Sequence, residues 1–236
     1  MFEVRNIAFS YGAQPVLRDV SFVVSPGETV SIVGDNGAGK TTLLKILATL
    51  MTQDAGSIRV NGQDAVHYPL RYRSQLGYLQ ENPSLYEDMT VKGYLKYRAQ
   101  LKGELDKRIR RRVGEAAEIC HITDILMQPI RKLSFGLKKR VALADAMLLR
   151  PRVLLLDDVL AGLDRSMREA AGTIVSTVAA FSSVIVTGHE ITDLVKWSTR
   201  ILVLRNGVIS ATIPAAGMDA AATVSRVDQA LRGGGL

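Results

Sequence analysis

Disulfide bonds within this chain are excluded, because its 236 residues contain a single cysteine, Cys120. A lone cysteine fits a reducing compartment, so we expect a cytoplasmic protein in which Cys120 is a small core residue. No apolar run approaches the roughly 20 residues that span a bilayer. Residues 1–5 also lack the apolar core of a signal peptide. The sequence therefore predicts neither secretion nor a membrane-spanning segment.

Acidic residues and aromatic residues are both scarce. The 23 Asp and Glu are outnumbered by 30 Lys and Arg, and the net charge of +7 suits nucleic acid, an anionic membrane surface or nucleotide phosphates. Aromatic residues, 6% of the chain, do not interleave with the basic cluster Lys107–Arg112, so we expect no nucleic-acid partner. We expect this cluster to be a solvated helix face, with anionic lipid headgroups or an acidic partner loop as the alternative.

The strongest pattern that is present is the glycine-rich segment Gly34–Thr42, with the sequence GDNGAGKTT. Its spacing lets backbone N–H groups close around phosphate oxygens, while Lys40 adds a positive charge and the Thr41 hydroxyl can bind Mg²⁺. The apolar strand Thr29–Val33 precedes it, and apolar residues at helical spacing follow as far as Leu50. A glycine-rich turn without a ligand is the alternative. We predict a nucleoside triphosphate site formed by Gly34, Asn36, Gly37, Ala38, Gly39, Lys40, Thr41 and Thr42.

Two carboxylates and a histidine follow later apolar runs. The run Val153–Leu156 predicts a buried strand that ends at Asp157, where a carboxylate can hold Mg²⁺ opposite the loop threonine. An Asp that caps the next helix is the alternative for this residue. Asp158 follows directly and is a candidate to polarise a water that attacks the γ-phosphate. His189 follows another apolar run, at the sheet edge where ligands gather, so we favour a phosphate contact over a structural role.

The order of predicted elements indicates the architecture. Short strands and turns fill about the first 60 residues, and the pattern is helical from about residue 86 to 150. Thr90, Asp106 and Ser134 are candidate N-caps of three helices in that region. Apolar runs return at 153–157, 184–187 and 201–204, which indicates parallel strands covered on both faces. We expect an α/β core with an inserted helical lobe, then a weak Ala-rich helix from residue 217 that frays at 233–236.

These motifs, in this order, resemble the ATP-binding subunit of ABC transporters. The resemblance runs from residue 2 to residue 210 and rests on Tyr11, Gly34–Thr42, Gln80–Glu81, Leu133–Arg140, Asp157–Asp158, Ala161–Asp164 and His189. It implies an α/β fold: a P-loop NTPase core with a mixed sheet, an antiparallel β subdomain at the N-terminus and an inserted helical subdomain. The expected layout is one ABC ATPase domain over residues 1–236, with its core at 1–85 and 151–212, a helical signature subdomain at about 86–150 and a tail at 213–236.

The resemblance also implies roles that spacing alone does not assign. The nucleotide is ATP, its metal is Mg²⁺, and Tyr11 stacks on adenine. Gln80 or Glu81 lies at the Q-loop position beside the metal, and the alignment leaves both open. Ser134 and Gly136 act across a homodimer or heterodimer of ATPase subunits, in which each site combines one chain's loop with the other chain's signature. The expected catalytic residues are Lys40, Asp158 and His189.

The sequence departs from the family pattern at the catalytic residues. Asp158 stands where the family has a glutamate, Phe135 where the signature has a glycine, and Leu137 where it has a glutamine. The shorter side chain of Asp158 sets its carboxylate roughly 1–1.5 Å back from the attacking water, which can cost on the order of 100-fold in rate. Phe135 lacks the backbone freedom of glycine. We therefore expect good ATP binding and slow hydrolysis.

The sequence predicts the ATP-hydrolysing subunit of an ABC transporter, cytoplasmic and peripheral on the membrane, that powers a separate membrane permease. The segment Gly77–Val91 resembles bacterial exporters, so export is the expected direction. The alternatives are a soluble ABC ATPase without a permease and a regulatory ATP-binding subunit with very low turnover. Soluble relatives often carry two ATPase domains in one chain, which 236 residues do not allow, so we favour the transporter.

Overall fold

Ten strands form one continuous sheet in residues 1–233, the part of the chain that the computed structural model describes. The strands are β1 Phe2–Tyr11, β2 Gln14–Val24, β3 Thr29–Val33, β4 Ala55–Val60, β5 Gln63–Asp64, β6 Leu76–Leu79, β7 Val153–Leu156, β8 Ser183–Thr187, β9 Arg200–Arg205 and β10 Val208–Pro214. Their order across the sheet is β5-β4-β1-β2-β10-β9-β3-β8-β7-β6.

The sheet is mixed, as predicted. Strands β6, β7, β8, β3 and β9 pair in parallel, whereas β1, β2, β4 and β5 pair antiparallel. This confirms the α/β class with an antiparallel β subdomain at the N-terminus. Because neighbouring parallel strands end at the same edge of a sheet, the residues that follow β3, β7 and β8 meet there.

Eight α-helices accompany the sheet in the described residues. They are α1 Lys40–Leu47, α2 Pro69–Arg73, α3 Val91–Leu101, α4 Asp106–Ile119, α5 Phe135–Met147, α6 Arg165–Ala179, α7 Ile191–Trp197 and α8 Ala220–Arg232. Helices α3, α4 and α5 contact one another and form a helical lobe between β6 and β7 in the chain. Within residues 1–233, no helix combines the length and the apolar character that crossing a membrane requires.

The lobe helices begin at defined caps. The Thr90 hydroxyl accepts a hydrogen bond of 3.1 Å from the N–H of Gly93 at the start of α3, and Ser134 caps α5 in the same way at 3.4 Å. The predicted cap of α4 is wrong, because Leu105 occupies the N-cap position and gives no side-chain hydrogen bond. Asp106 lies in the first turn instead, where its negative charge is favourable near the helix N-terminus.

The core lies on both faces of the sheet. Leu154 and Leu156 of β7 belong to the hydrophobic cluster that includes the lobe, whereas Val153 and Leu155 belong to the cluster on the opposite face. Successive side chains of a strand point to opposite faces, so a strand covered on both sides must be apolar throughout. This arrangement explains why the run was recognisable as a buried strand.

Two single-residue expectations have opposite outcomes. Cys120 is fully buried at the end of α4, as expected of a core residue, and burial raises the pKa of its thiol to about 12. Leu50 is 63% exposed, although the helical spacing placed it on the apolar face. The reason is that α1 ends at Leu47, so Leu50 lies beyond the helix.

The C-terminal segment packs on the core. Helix α8 contacts α7, β9 and β10, and it buries Val227 and Ala230. Strand β10 extends to Pro214, two residues into the segment 213–236 that we expected to be a tail. The expected fraying falls mainly on residues 234–236, which lie outside the described residues.

Candidate active site

An open cavity of about 590 Å³ lies where the carboxyl ends of β3, β7 and β8 meet. Of the predicted site residues, Gly34, Gln80, Ser134 and Gly136 do not line it. Val16 and Thr187 line the cavity although the sequence did not indicate them. The lining consists of Tyr11, Val16, Asn36, Gly37, Ala38, Gly39, Lys40, Thr41, Thr42, Glu81, Asp157, Asp158, Thr187 and His189.

The glycines of the loop after β3 are required by its backbone. Gly37 and Gly39 have φ of +81° and +99°, in the left-handed region that side chains with a Cβ disfavour. A Cβ on Gly34 would lie 2.3 Å from the carbonyl oxygen of Leu204, so this glycine allows the loop to pass close to β9. Helix α1 begins directly after Gly39, and its free N–H groups and positive dipole end therefore face the cavity.

The Lys40 side chain folds back onto its own loop. Its Nζ donates to the carbonyl oxygens of Gly34, at 2.7 Å, and Asp35, at 3.0 Å. Burial lowers the pKa of Lys40, and the negative charges of Asp158, Asp35 and Asp157 oppose that shift. The ammonium group thus lies between the loop and the carboxylates that follow β7.

Asp157 is a buried carboxylate held by hydroxyl groups. Its Oδ1 accepts from Thr187 at 2.8 Å and from Thr41 at 3.2 Å, and its Oδ2 accepts from the Tyr78 hydroxyl at 3.5 Å. Burial, followed by the charge of Asp157, raises the pKa of Tyr78 above its ordinary value, so the hydroxyl stays a donor. The alternative role for Asp157 finds no support, because Asp164 is the residue that caps the next helix, α6.

The oxygen donors at Asp157 fit a magnesium ion. Mg²⁺ prefers oxygen ligands, keeps several waters, and is usually bound by one or two protein groups together with substrate phosphates. Thr41 and Asp157 provide such a pair at the edge of the phosphate loop. The donor set therefore suits a metal that arrives with a phosphorylated ligand.

Asp158 has an unusual backbone conformation for a residue with a side chain. Its φ is +43°, and its N–H donates to the Thr187 hydroxyl at 3.1 Å. Its Oδ1 lies 3.5 Å from where a Cβ on Gly188 would be, so the carboxylate faces the segment that leads to His189. Asp158 and His189 both line the cavity.

The two candidates after β6 differ in their position relative to the cavity. Glu81 lines the cavity, whereas Gln80 is not among its lining residues. Tyr11 also lines the cavity, and its ring packs edge-on against Phe9 with 4.9 Å between centroids. Tyr11 remains 52% exposed, and its hydroxyl lies 3.4 Å from the Thr42 Oγ1, so its ring is available to stack beside the loop.

The start of α5 lies away from this cavity. Gly136 is buried against α6, since a Cβ there would lie 2.1 Å from the sulfur of Met167. Phe135 is 51% exposed and is not among the residues with positive φ. The backbone at this position therefore does not adopt a conformation that requires glycine. What the substitution adds is an exposed aromatic ring.

Comparisons with known proteins agree on one family. A family model described as ABC transporter matches residues 17–161. A putative ABC transporter ATP-binding protein of Streptococcus mutans is 33% identical over 215 residues, which cover 89% of this chain and 38% of that protein. The spermidine/putrescine import ATP-binding protein PotA of Haemophilus influenzae is 30% identical over 213 residues, which cover 89% of this chain and 57% of that protein.

A solved structure gives the same result at the level of the fold. The structure of an ATP-binding subunit of an ABC transporter matches with a TM-score of 0.83 at 28% sequence identity, over 97% of this chain and 99% of that chain. This chain spans 38% and 57% of the lengths of the two curated relatives above. The similarity thus covers nearly all of this chain but only part of those proteins.

Proposed function

Since this chain belongs to the ABC transporter family, we propose that it binds ATP with Mg²⁺, hydrolyses it, and thereby powers a separate membrane permease. The observation that carries the proposal is the cradle after β3. The loop amides and the start of α1 face one cavity, and the Thr41 hydroxyl lies 3.2 Å from the Asp157 carboxylate at its edge. A phosphate chain and its metal need this combination of donors.

Phosphate and metal are assigned to the loop and to β7. The loop amides and Lys40 hold the phosphates, and Thr41 with Asp157 holds Mg²⁺. Glu81 is the third protein group beside the metal, in preference to Gln80, because it lines the cavity. Bound Mg²⁺ supplies positive charge that neutralises the charge developing on the transferred phosphate.

The remaining residues act on the base and on the attacking water. Tyr11 stacks on adenine beside the loop. Asp158 orients the water and accepts its proton, and His189 contacts the γ-phosphate. The Asp158 side chain is shorter than a glutamate, and this supports slow hydrolysis, since a displacement of the carboxylate on the order of 1 Å can cost about 100-fold in rate.

A second ATPase subunit is proposed to complete each site. Ser134 caps α5, whose N-terminal N–H groups and dipole favour an anion. Ser134 and Gly136 lie away from the cavity of their own chain, which fits contact with ATP bound to a partner subunit. A second copy and a different ATPase subunit are both compatible partners. Molecular mass in solution with and without MgATP, for the chain alone, tests the homodimer.

A peripheral position at the cytoplasmic face of the membrane is the proposed location. Four cations of α4 are exposed, Lys107, Arg108, Arg110 and Arg111, and Leu105 just before the helix is 53% exposed. Exposed cations beside apolar side chains suit the headgroup region of an anionic membrane. The proposed direction is export, from the exporter-like segment Gly77–Val91. The relative PotA is an import protein by its name, so the direction rests on that segment alone.

Co-purification tests the transport role. The chain is expressed in its native host and recovered from detergent-solubilised membranes. Recovery together with a polytopic membrane protein, and ATP hydrolysis that this protein stimulates, supports the proposal. Recovery only as a soluble chain favours an ABC ATPase without a permease.

A regulatory ATP-binding subunit is the second candidate, and the shorter side chain of Asp158 favours it. The complex with the permease distinguishes the two candidates. If ATP binds but phosphate release stays at the level of a Lys40→Met variant, the regulatory role is the better account.

A further inference from the structure

A buried lysine next to the site has no role in the reaction described above. Lys139 lies on α5 and is 4% exposed. In residues 1–233 its ammonium group is held by backbone carbonyls and by no ion pair. A buried charge is costly unless it is well hydrogen-bonded, so this arrangement calls for a reason.

The carbonyls that hold Lys139 all belong to the turn after β7. Its Nζ donates to the carbonyl oxygens of Ala161, at 2.6 Å, Asp158, at 3.3 Å, and Val159, at 3.4 Å. One ammonium group therefore binds three carbonyl oxygens of the turn that carries Asp158. Its pKa is lowered by burial, which the charges of Asp158 and Glu81 oppose, so Lys139 also lies in the field of the cavity carboxylates.

Hydrogen bonds hold both backbone groups of Asp158. Its N–H is bonded to the Thr187 hydroxyl at 3.1 Å, and its carbonyl is bonded to Lys139. A side chain on a backbone with positive φ is disfavoured and persists only where the surroundings hold it. Thr187 and Lys139 are the groups that do so here.

The aromatic ring of Phe135 belongs to the same anchor. The Lys139 ammonium lies 5.2 Å from the ring centroid, within the range of a cation–π interaction. The ring edge lies 2.8 Å from where a Cβ on Gly162 would be, so Phe135 packs against the end of the turn. Phe135, Lys139 and the turn Asp158–Gly162 thus form one packed unit.

We propose that Lys139 is a positioning residue that holds the turn Asp158–Gly162, and through it the Asp158 carboxylate, in the orientation that hydrolysis requires. The inference rests on the proposed function, because it assigns Asp158 as the base. It also implies that Phe135 contributes to this anchor. Lys139 lies on the helix whose first residues are assigned to the partner's ATP, so it joins that helix to the acid of its own chain.

Three variants test the role of the ammonium group. Lys139→Met keeps the length of the side chain and removes its donors, and Lys139→Arg restores donors. Lys196→Met is the control, because this exposed lysine of α7 pairs with Asp193 of its own helix instead of the turn. We expect Lys139→Met to lower kcat by about 10- to 100-fold with KM for ATP unchanged within about 2-fold, Lys139→Arg to recover most of the loss, and the control to stay within about 2-fold of the unmodified chain.

A double variant shows whether Lys139 acts through Asp158. In an Asp158→Asn background, Lys139→Met should cause no further loss of kcat, because the group that it positions is already inactive. An equal loss in both backgrounds would overturn the proposal. So would an unchanged kcat in Lys139→Met, or a parallel loss of ATP affinity.

Hydrogen exchange tests the anchor without depending on hydrolysis. The N–H of Ala161 donates to the Asp158 carbonyl at 3.1 Å, and the N–H of Leu163 donates to that of Leu160 at the same distance. Both amides should exchange faster in Lys139→Met than in the Lys196→Met control, because the turn is no longer held. Unchanged exchange would overturn the proposal even if the chain proved to have no ATPase activity. Should Lys139→Met fail to fold, the same comparison is made with Phe135→Leu, and unchanged exchange there has the same meaning.

Discussion

Replacing Asp158 with glutamate should accelerate hydrolysis. The added methylene extends the carboxylate by roughly 1–1.5 Å toward the attacking water, and a correction of that size is worth on the order of 10- to 100-fold in rate, or about 1.4–2.7 kcal/mol of activation free energy. The site has room for it, because Asp158 lines the open cavity. We therefore expect a higher kcat with KM for ATP nearly unchanged.

The same substitution should cost some stability. Asp tolerates a left-handed backbone better than longer side chains do, and Asp158 has φ +43°. We expect a loss of about 1 kcal/mol, which lowers Tm by roughly 2–4 °C in a chain of this size. Asp158→Asn is the control, since it keeps the shape and removes the base. Steady-state phosphate release and thermal unfolding measure both effects, and the reasoning is refuted if Asp158→Glu is no faster than the unmodified chain.

Two further predictions concern Thr187, which lines the cavity, and Gly34 at the start of the loop. Thr187→Val should lower kcat by about 10-fold, because it removes the hydroxyl that bonds to both Asp157 and the Asp158 amide; equal rates would show that these bonds do not orient the acids. Gly34→Ala should destabilise the fold by about 1–3 kcal/mol, because its Cβ would lie 2.3 Å from the Leu204 carbonyl; an unchanged Tm in a thermal unfolding experiment would contradict the close approach of loop and strand.

The phosphate cradle could be predicted because its determinants are contiguous in sequence. An apolar strand, a glycine-rich loop and an apolar helix follow one another around Gly34–Thr42, and the backbone of that segment alone aims the amides. The buried strands were equally visible, since a strand covered on both faces has no polar position to interrupt the run. The caps at Thr90 and Ser134 were visible for the same local reason.

The groups that orient the acids could not be predicted in this way. Thr187, Tyr78 and Lys139 reach the β7 turn from other elements, so only the assembled sheet and lobe bring them together. The left-handed backbone of Asp158 likewise depends on these contacts and has no local sequence signal. Phe135 looked like a defect of the signature because Gly162, against which its ring packs, belongs to the turn after β7 and meets the ring only in the folded chain, although Lys139 is one helical turn away.

The rate of phosphate release from MgATP by the purified chain tests the central claim most directly, when the unmodified chain is compared with Lys40→Met. Lys45→Met is the matched control, because this lysine lies on the same helix, α1, and does not line the cavity. We expect slow, saturable release by the unmodified chain and by the control. The rate should be lower by on the order of 100-fold in Lys40→Met, because this variant lacks the positive charge that stabilises the phosphates. Release by the unmodified chain that is no faster than release by Lys40→Met would contradict the claim that this cradle hydrolyses ATP.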